Sequence, residues 1–339
     1  RQRQMCIRDR IEEARTHAQH MNSTEGTASQ WVKPPVLVTN DDGVEAMGLL
    51  SIVRALHLAG HPVLVVAPRG EQSASGMRLT LRQPLRIETH PDLESQIYSN
   101  EGPPISILSV EGTPCDSVIV ALDGAIGEMT KGIRPVLCVS GINLGPNLSL
   151  DVLHSGTVSA AREASMYGLP SIATSLADYR SGDFRGATEA TMRVVDKVSG
   201  IIGDNPPSLM RPMGQESKPS MSEWQHPVNH FLHANILLNL NIPSEWDGRF
   251  TTGPHGARWY KAPTSIKEGT SGMTVEVGAA TIINEGPPGS DTHTVDSGGC
   301  SITAMPTWPQ LHPLSVPDGV LAEANQSDGD GFPSWLSSQ

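Results

Sequence analysis

Two adjacent carboxylates, Asp41 and Asp42, stand directly after the apolar run Val36–Thr39 and just before Gly43. Side by side, two carboxylates repel each other unless a proton or a cation lies between them. Hard oxygen donors of this kind suit magnesium, manganese or calcium better than zinc. An isolated Asp-Asp-Gly is most often a solvated turn; an apolar strand before it and a helical pattern after it favour a binding role here. Three later loops carry matching chemistry. Ser73, within Pro68–Gly76, has a hydroxyl that can complete a hard-metal shell or touch a phosphate, against the plain reading of a loop serine. Asn143 and Asn147, within Ser140–Asn147, offer carbonyls to a cation and amides to a phosphate, although asparagine also serves left-handed turns. Ser155, Gly156 and Thr157 open a helical run, where free N–H groups and the helix dipole favour an anion; the plain reading is an ordinary Ser/Thr cap.

These residues must be carried to one place, and the elements between them do that. Val36–Thr39, His61–Ala67, Pro135–Val139 and Pro170–Leu176 read as buried parallel strands. Helical spacing recurs in Val44–Gly60, from Ser117 to about Ala125, in Ser159–Gly168 and in Asp183–Ile202. The pattern is a run of βαβ units, which places the loops at the carboxyl edge of one sheet. Thr80–Glu88 and Ile105–Val110 read as a hairpin leaving the main sheet. Ala234–Ile242 is a further strand ended by Pro243, Arg249–Thr294 is Gly-rich with short β pieces, Cys300–Thr303 is a last strand, and Leu314–Asn325 is a closing helix. His226, His230 and His233 share a helical face but lack an acidic or thiol partner, so they read as incidental. His293 reads as a surface-loop residue.

The chain has 339 residues, enough for a core without staples, with 33 Gly and 27 Pro marking a loop-rich fold. Its formal charge of -12 argues against a nucleic-acid polymer as partner, which calls for a basic face. The four cysteines are widely separated, so neither a zinc ribbon nor a disulfide framework is indicated, and a reducing, cytoplasmic setting is expected. No run reaches the roughly 18 apolar residues of a membrane span, so no membrane partner is expected. The organisation expected is a tail over 1–34, a main domain over 35–310 with a loop-rich insertion at 204–227, and a C-terminal helix and tail over 311–339, with Gln326–Gln339 mostly disordered.

Five segments occur in one order: Asn40-Asp41-Asp42-Gly43; Val65-Val66-Ala67-Pro68 with Gln72-Ser73; Gly112-Thr113-Pro114 with Asp116; Ser140-Gly141-Ile142-Asn143 with Gly145-Pro146-Asn147; and Ser155-Gly156-Thr157-Val158. Together they resemble the SurE family of 5′/3′-nucleotidases and acid phosphatases. The resemblance implies a Rossmann-like three-layer α/β/α fold, with a mostly parallel sheet and a smaller C-terminal β-rich extension, assembled as homodimers or homotetramers. It implies Mg2+ or Mn2+ held by Asp41, Asp42, Ser73 and Asn143, and a phosphate held by Asn147, Ser155, Gly156 and Thr157. The expected activity is metal-dependent hydrolysis of nucleoside monophosphates, with Asp41 or Asp42 as the catalytic base. The alternative is a nucleotide- or metal-binding protein without turnover. Neither a dinucleotide G-x-G-x-x-G after the first strand nor a P-loop is present. The chain differs from the family at Ala74, where glycine is usual, and at His154, where tyrosine is common.

Overall fold

The computed structural model describes residues 33–98, 102–124, 126–203, 223–269, 272–278 and 280–337. The tail expected at 1–34, up to residue 32, and the insertion expected at 204–227, up to residue 222, lie outside the described residues. The first half of the chain alternates strand and helix: β1 (Val36–Thr39), α1 (Met47–Leu58), β2 (Val63–Pro68), β3 (Ile87–Thr89), α2 (Pro91–Ile97), β4 (Ile105–Val110), α3 (Pro114–Leu122), β5 (Leu137–Leu144), α4 (Asp151–His154), α5 (Gly156–Met166), β6 (Ser171–Leu176) and α6 (Arg185–Ile202). The second half adds α7 (Pro227–Leu232), β7 (Ile236–Ile242), β8 (Phe250–Thr252), β9 (Ala257–Lys261), β10 (Thr264–Gly269), β11 (Gly272–Val277), β12 (Thr281–Glu285), α8 (Asp291–Asp296), β13 (Cys300–Pro306) and α9 (Asp318–Ala324).

Nine strands form the main sheet in the order β3-β4-β2-β1-β5-β6-β7-β13-β8. The six from β4 to β7 are mutually parallel, and β3 and β13 run against them. Successive residues of a strand face opposite sides, and here both sides are covered. Val36 and Val38 pack with Leu49, Ile52, Val53 and Leu56 of α1 and Val194, Val195 and Val198 of α6. Leu37 packs on the other face with Val118 of α3 and Ala160 and Ala164 of α5. Burial on both faces is why the strands read as unbroken apolar runs. The result is the expected three-layer α/β fold. Two antiparallel pairs, β10–β11 and β9–β12, make up the C-terminal β-rich extension.

Four local expectations are corrected. The strand expected over Thr80–Glu88 forms only as the short β3, and helix α2 separates it from β4, so the two pair antiparallel without making a hairpin; β4 also pairs with β2 in parallel, so they extend the main sheet rather than leave it. Helix α3 starts at Pro114 rather than Ser117. Thr113 accepts the Asp116 N–H at 3.2 Å and donates its own N–H to the Asp116 carboxylate at 2.8 Å, a closed capping box with proline at the first helical position. The segment after Gln326 is ordered through residue 337: Ser327 bridges Pro333, the Phe332 ring lies 4.3 Å from Phe250, and Trp335 and Leu336 are buried. His293 falls on the short helix α8 rather than in a loop.

Candidate active site

In strand order, β1 has β2 on one side and β5 on the other. The chain therefore reverses its winding direction between β1 and β5, and a crevice opens beyond their carboxyl ends. Asp41 and Asp42 follow β1 on that edge, and Asn143 and Leu144 end β5 opposite them. Asn40 fixes the turn: its amide donates to the Gly43 carbonyl at 2.9 Å and its side-chain oxygen accepts the Gly43 N–H at 3.3 Å. Gly43 has a φ of +106°, and a side chain there would press on the Gly70 backbone, so glycine is required.

Asp41 is buried against the start of α5. Its Oδ1 accepts the Thr157 hydroxyl, and the Gly156 and Thr157 N–H groups face its carboxylate. Burial raises its pKa, and those hydrogen bonds oppose the rise. A Cβ on Gly156 would lie 2.7 Å from Asp41 Cβ and 2.8 Å from its Oδ2, so only glycine lets helix and carboxylate approach. The helix start expected to cradle a phosphate thus already faces a negative group of the protein itself. The Ser155 hydroxyl is the N-cap and accepts the Val158 N–H at 3.0 Å.

Asp42 is less enclosed. Its Oδ2 accepts the Leu144 N–H at 3.1 Å, a bond that spans the crevice from β1 to β5. Burial pushes its carboxyl up to about 6, the Asp41 and Glu71 charges add to the rise, and the Leu144 N–H opposes it. Asn143 donates its amide to the Gly145 carbonyl at 2.7 Å, a bond that does not use its Oδ1.

The other expected residues fall less simply. Ser73 is exposed and its hydroxyl donates to Glu71 at 2.9 Å. Ser75, two residues on, has a buried Oγ without a hydrogen-bond partner, placed 2.6 Å from where a Cβ on Gly156 would be. The structure therefore turns Ser75, not Ser73, toward Asp41. Asn147 is buried and serves as a strut: its N–H donates to Asn241 Oδ1 at 2.7 Å, its carbonyl accepts from the Asn239 and Asn241 amides, and its own amide donates to Ser175 at 2.8 Å. Asn239 and Asn241 are two apart on β7, so the strand period already put them on one face; what no sequence pattern indicated was their target.

A buried network beside α4 also escaped the sequence reading. Arg258 of β9 pairs with Asp151 at 2.7 Å, both nearly sealed from solvent, and the Tyr260 hydroxyl donates to the other Asp151 oxygen. Asp291 takes the Ser149 N–H at 3.0 Å and pairs with His255 at 2.7 Å. These contacts tie the C-terminal extension to the loop between β5 and α5.

Do these residues suit a hard divalent cation? Among the described residues, no three His, Cys, Asp or Glu side chains gather to hold a metal. The donor set is two carboxylates with neutral oxygens nearby, the Asn143 carbonyl and the unpartnered Ser75 hydroxyl. Both acids are held above their ordinary range by burial, so a positive charge between them would be stabilised. All-oxygen coordination of that kind fits magnesium or manganese, and the residues present fit such an ion.

The family model for Survival protein SurE matches residues 36–262. The chain is 47% identical over 160 residues to a protein of Gloeobacter violaceus named 5′-nucleotidase SurE, covering 47% of this chain and 56% of that one. It is 37% identical over 208 residues to a protein of the same name from Prochlorococcus marinus, covering 61% of this chain and 62% of that one. The chain thus matches less than two thirds of the length of these curated relatives. The crystal structure of the SurE protein from Aquifex aeolicus superposes with a TM-score of 0.58 at 27% identity, covering 82% of this chain and 95% of that one.

Proposed function

The chain belongs to the SurE family, and on that premise we propose that it is a divalent-metal-dependent phosphomonoesterase acting on nucleoside monophosphates. The single observation that carries this reading is the Asp41–Asp42 pair set in the β1–β5 crevice against the start of α5. Relatives named 5′-nucleotidase support the same class of reaction.

Asp41, Asp42 and Asn143 would hold Mg2+ or Mn2+, with a serine of the Ser73–Ser75 loop completing the shell. The bound ion supplies Lewis-acid polarisation of the phosphoryl group. The chain's own residues do the rest. Ser155, Gly156 and Thr157 set the positive end of α5 against Asp41 and hold its carboxylate in the crevice where the phosphoryl group would sit, while Asn147 braces that edge against β6 and β7. Asp41 is held by Thr157 and the helix start, so Asp42 is the carboxylate free to take a proton. As water attacks phosphorus, Asp42 accepts its proton, the ester P–O bond breaks, and the nucleoside oxygen leaves and takes up the proton that Asp42 gained.

The exposed apolar face of β10–β11, with Ile266, Met273, Val275 and Val277, supports assembly into a homodimer or homotetramer. Cys115, Cys138 and Cys300 are free buried thiols, which suits a reducing, cytoplasmic compartment. No helix among the described residues is long and apolar enough to cross a membrane.

The test is phosphate release from nucleoside 5′- and 3′-monophosphates, first in EDTA and then with added Mg2+ or Mn2+. Metal-restored release is expected, and Asp42→Asn is expected to lower kcat at least about 100-fold, the lower end of what a positioned base contributes, with an unchanged melting temperature. Release that ignores EDTA, or full turnover by Asp42→Asn, refutes the assignment.

A further inference from the structure

A cleft of about 560 Å³ lies beside the Asp41–Asp42 crevice, lined by Arg69, Gln72, Arg78, Thr80 and Glu111 together with glycine backbone. That volume lies in the usual range for small-molecule sites, about 300–1,000 Å³. The cleft and the crevice are joined through one loop. The Gln72 N–H donates to the Asp41 carbonyl at 2.6 Å, and the Gly76 N–H donates to the carbonyl of His154, the residue before Ser155, at 2.9 Å. The loop that carries Gln72 and Arg78 thus borders both the cleft and the segments that hold Asp41 and Ser155.

The lining has a definite character. None of these side chains is aromatic, so the cleft offers no stacking face for a base. It does offer two guanidiniums. Arg69 is anchored by Glu111 at 2.6 Å, with Glu88 at 3.8 Å from the same nitrogen, so its charge is largely matched and its remaining N–H donors serve as hydrogen-bond donors. Arg78 is anchored by a neutral group, the Gln72 amide oxygen, at 2.6 Å, and no carboxylate pairs with it among the described residues. Its backbone is fixed as well: its carbonyl accepts the Thr113 hydroxyl at 2.6 Å, and its N–H donates to Ser75 at 3.3 Å. An anchored guanidinium without a counter-charge is a site for a multi-oxygen anion such as phosphate, two of whose oxygens its planar fork can meet. Gly70 leaves open space where a side chain would stand, so the approach is unobstructed.

We infer that the Arg69–Arg78 cleft is a subsite for a second phosphate, so that the enzyme favours phosphomonoesters bearing another phosphate group, such as nucleoside 3′,5′-bisphosphates. The inference rests on the proposed hydrolase reading for the scissile phosphate, but the cleft itself needs no metal.

The experiment measures binding and turnover separately. Adenosine 3′,5′-bisphosphate and AMP are titrated into the protein in EDTA by calorimetry, and their kcat/KM values are compared in Mn2+, for wild type, Arg78→Gln and Arg69→Gln. Both residues are at the surface, so the variants keep the fold. The bisphosphate is expected to bind about tenfold more tightly than AMP, the scale of one charge-assisted bond, and either substitution is expected to bring the ratio within about twofold. Equal affinities in wild type, no binding of either nucleotide, or a ratio that survives both substitutions overturns the subsite. Hydrolysis of AMP without a binding preference sinks the subsite alone. A binding preference without any phosphate release sinks the hydrolase reading and leaves the subsite standing.

Discussion

Gly156→Ala adds one methyl group, and the structure gives a definite account of what that methyl meets. It would lie 2.6 Å from Ser75 Oγ, 2.7 Å from Asp41 Cβ and 2.8 Å from Asp41 Oδ2. All three are closer than carbon tolerates, and two belong to a short, buried side chain that cannot swing aside. Overpacking of this kind costs about 1–3 kcal/mol. Alanine in place of glycine in a helix returns about 0.5–1 kcal/mol. The net is a loss of about 1 kcal/mol, or about 2–4 °C in melting temperature at this size. The larger effect falls on function, because Asp41 and the start of α5 must separate. A shift of about 1 Å in a catalytic group can cost about 100-fold, so kcat/KM is expected to fall about 10- to 100-fold and Mn2+ affinity to fall with it. Gly200→Ala, on α6 with open space around it, is the matched control and is expected to stabilise. The assays are thermal unfolding, Mn2+ titration and phosphate release. A Gly156→Ala protein with wild-type melting, metal affinity and turnover refutes the close packing of α5 on Asp41. A protein that loses stability but keeps metal affinity and turnover makes that contact a packing contact only.

Two further outcomes follow from the buried polar groups. Arg258→Met leaves the Asp151 carboxylate buried without its cation, with both partners nearly sealed from solvent, and is expected to cost about 3–5 kcal/mol; a loss under about 1 kcal/mol in urea unfolding refutes the buried pair. Asp116 sets an acid limit: burial raises its pKa, but N–H bonds from Thr113 and Thr80 outweigh this and hold it below its ordinary 3.8. A depressed carboxylate stabilises the fold fully above its unfolded value and loses that contribution as pH falls through the folded one. The stability gap between wild type and Asp116→Asn is therefore expected to narrow below about pH 4, and a gap that stays constant through that range refutes the capping role.

What the sequence made legible was whatever depends on local pattern. Val36–Thr39 showed a strand because both of its faces are buried, and the polar residues just after each such run mark the sheet edge where they emerge. The Ser155–Thr157 helix start was equally plain. Hidden were features that depend on distant partners. Whether Ser73 or Ser75 faces Asp41 is decided by the course of one loop and by the absence of a side chain at Gly156, more than 80 residues away in sequence. The segment after Gln326 looked like a tail because its polar residues mask three anchors, Phe332, Trp335 and Leu336, whose sockets lie on β8 and α7. Arg258 and Tyr260 looked like ordinary strand residues until Asp151 stood beside them. In the same way, β4 looked like half of a free hairpin because its second partner, β2, is about 40 residues earlier.

The strand order carries a consequence for how the molecule is made. The sheet grows outward from its first strand: β2 and β4 join on one side, then β5, β6 and β7 on the other, in the order in which they leave the ribosome. Everything that surrounds Asp41 and Asp42, from β1 to the start of α5, is present once residue 166 has emerged. By contrast, among the described residues β8 pairs with the sheet only through β13, which is synthesised some 50 residues later. The nascent chain thus has a long interval in which the edge that carries Asp41 and Asp42 is formed while β8 and the extension after it wait for the strand that will hold them.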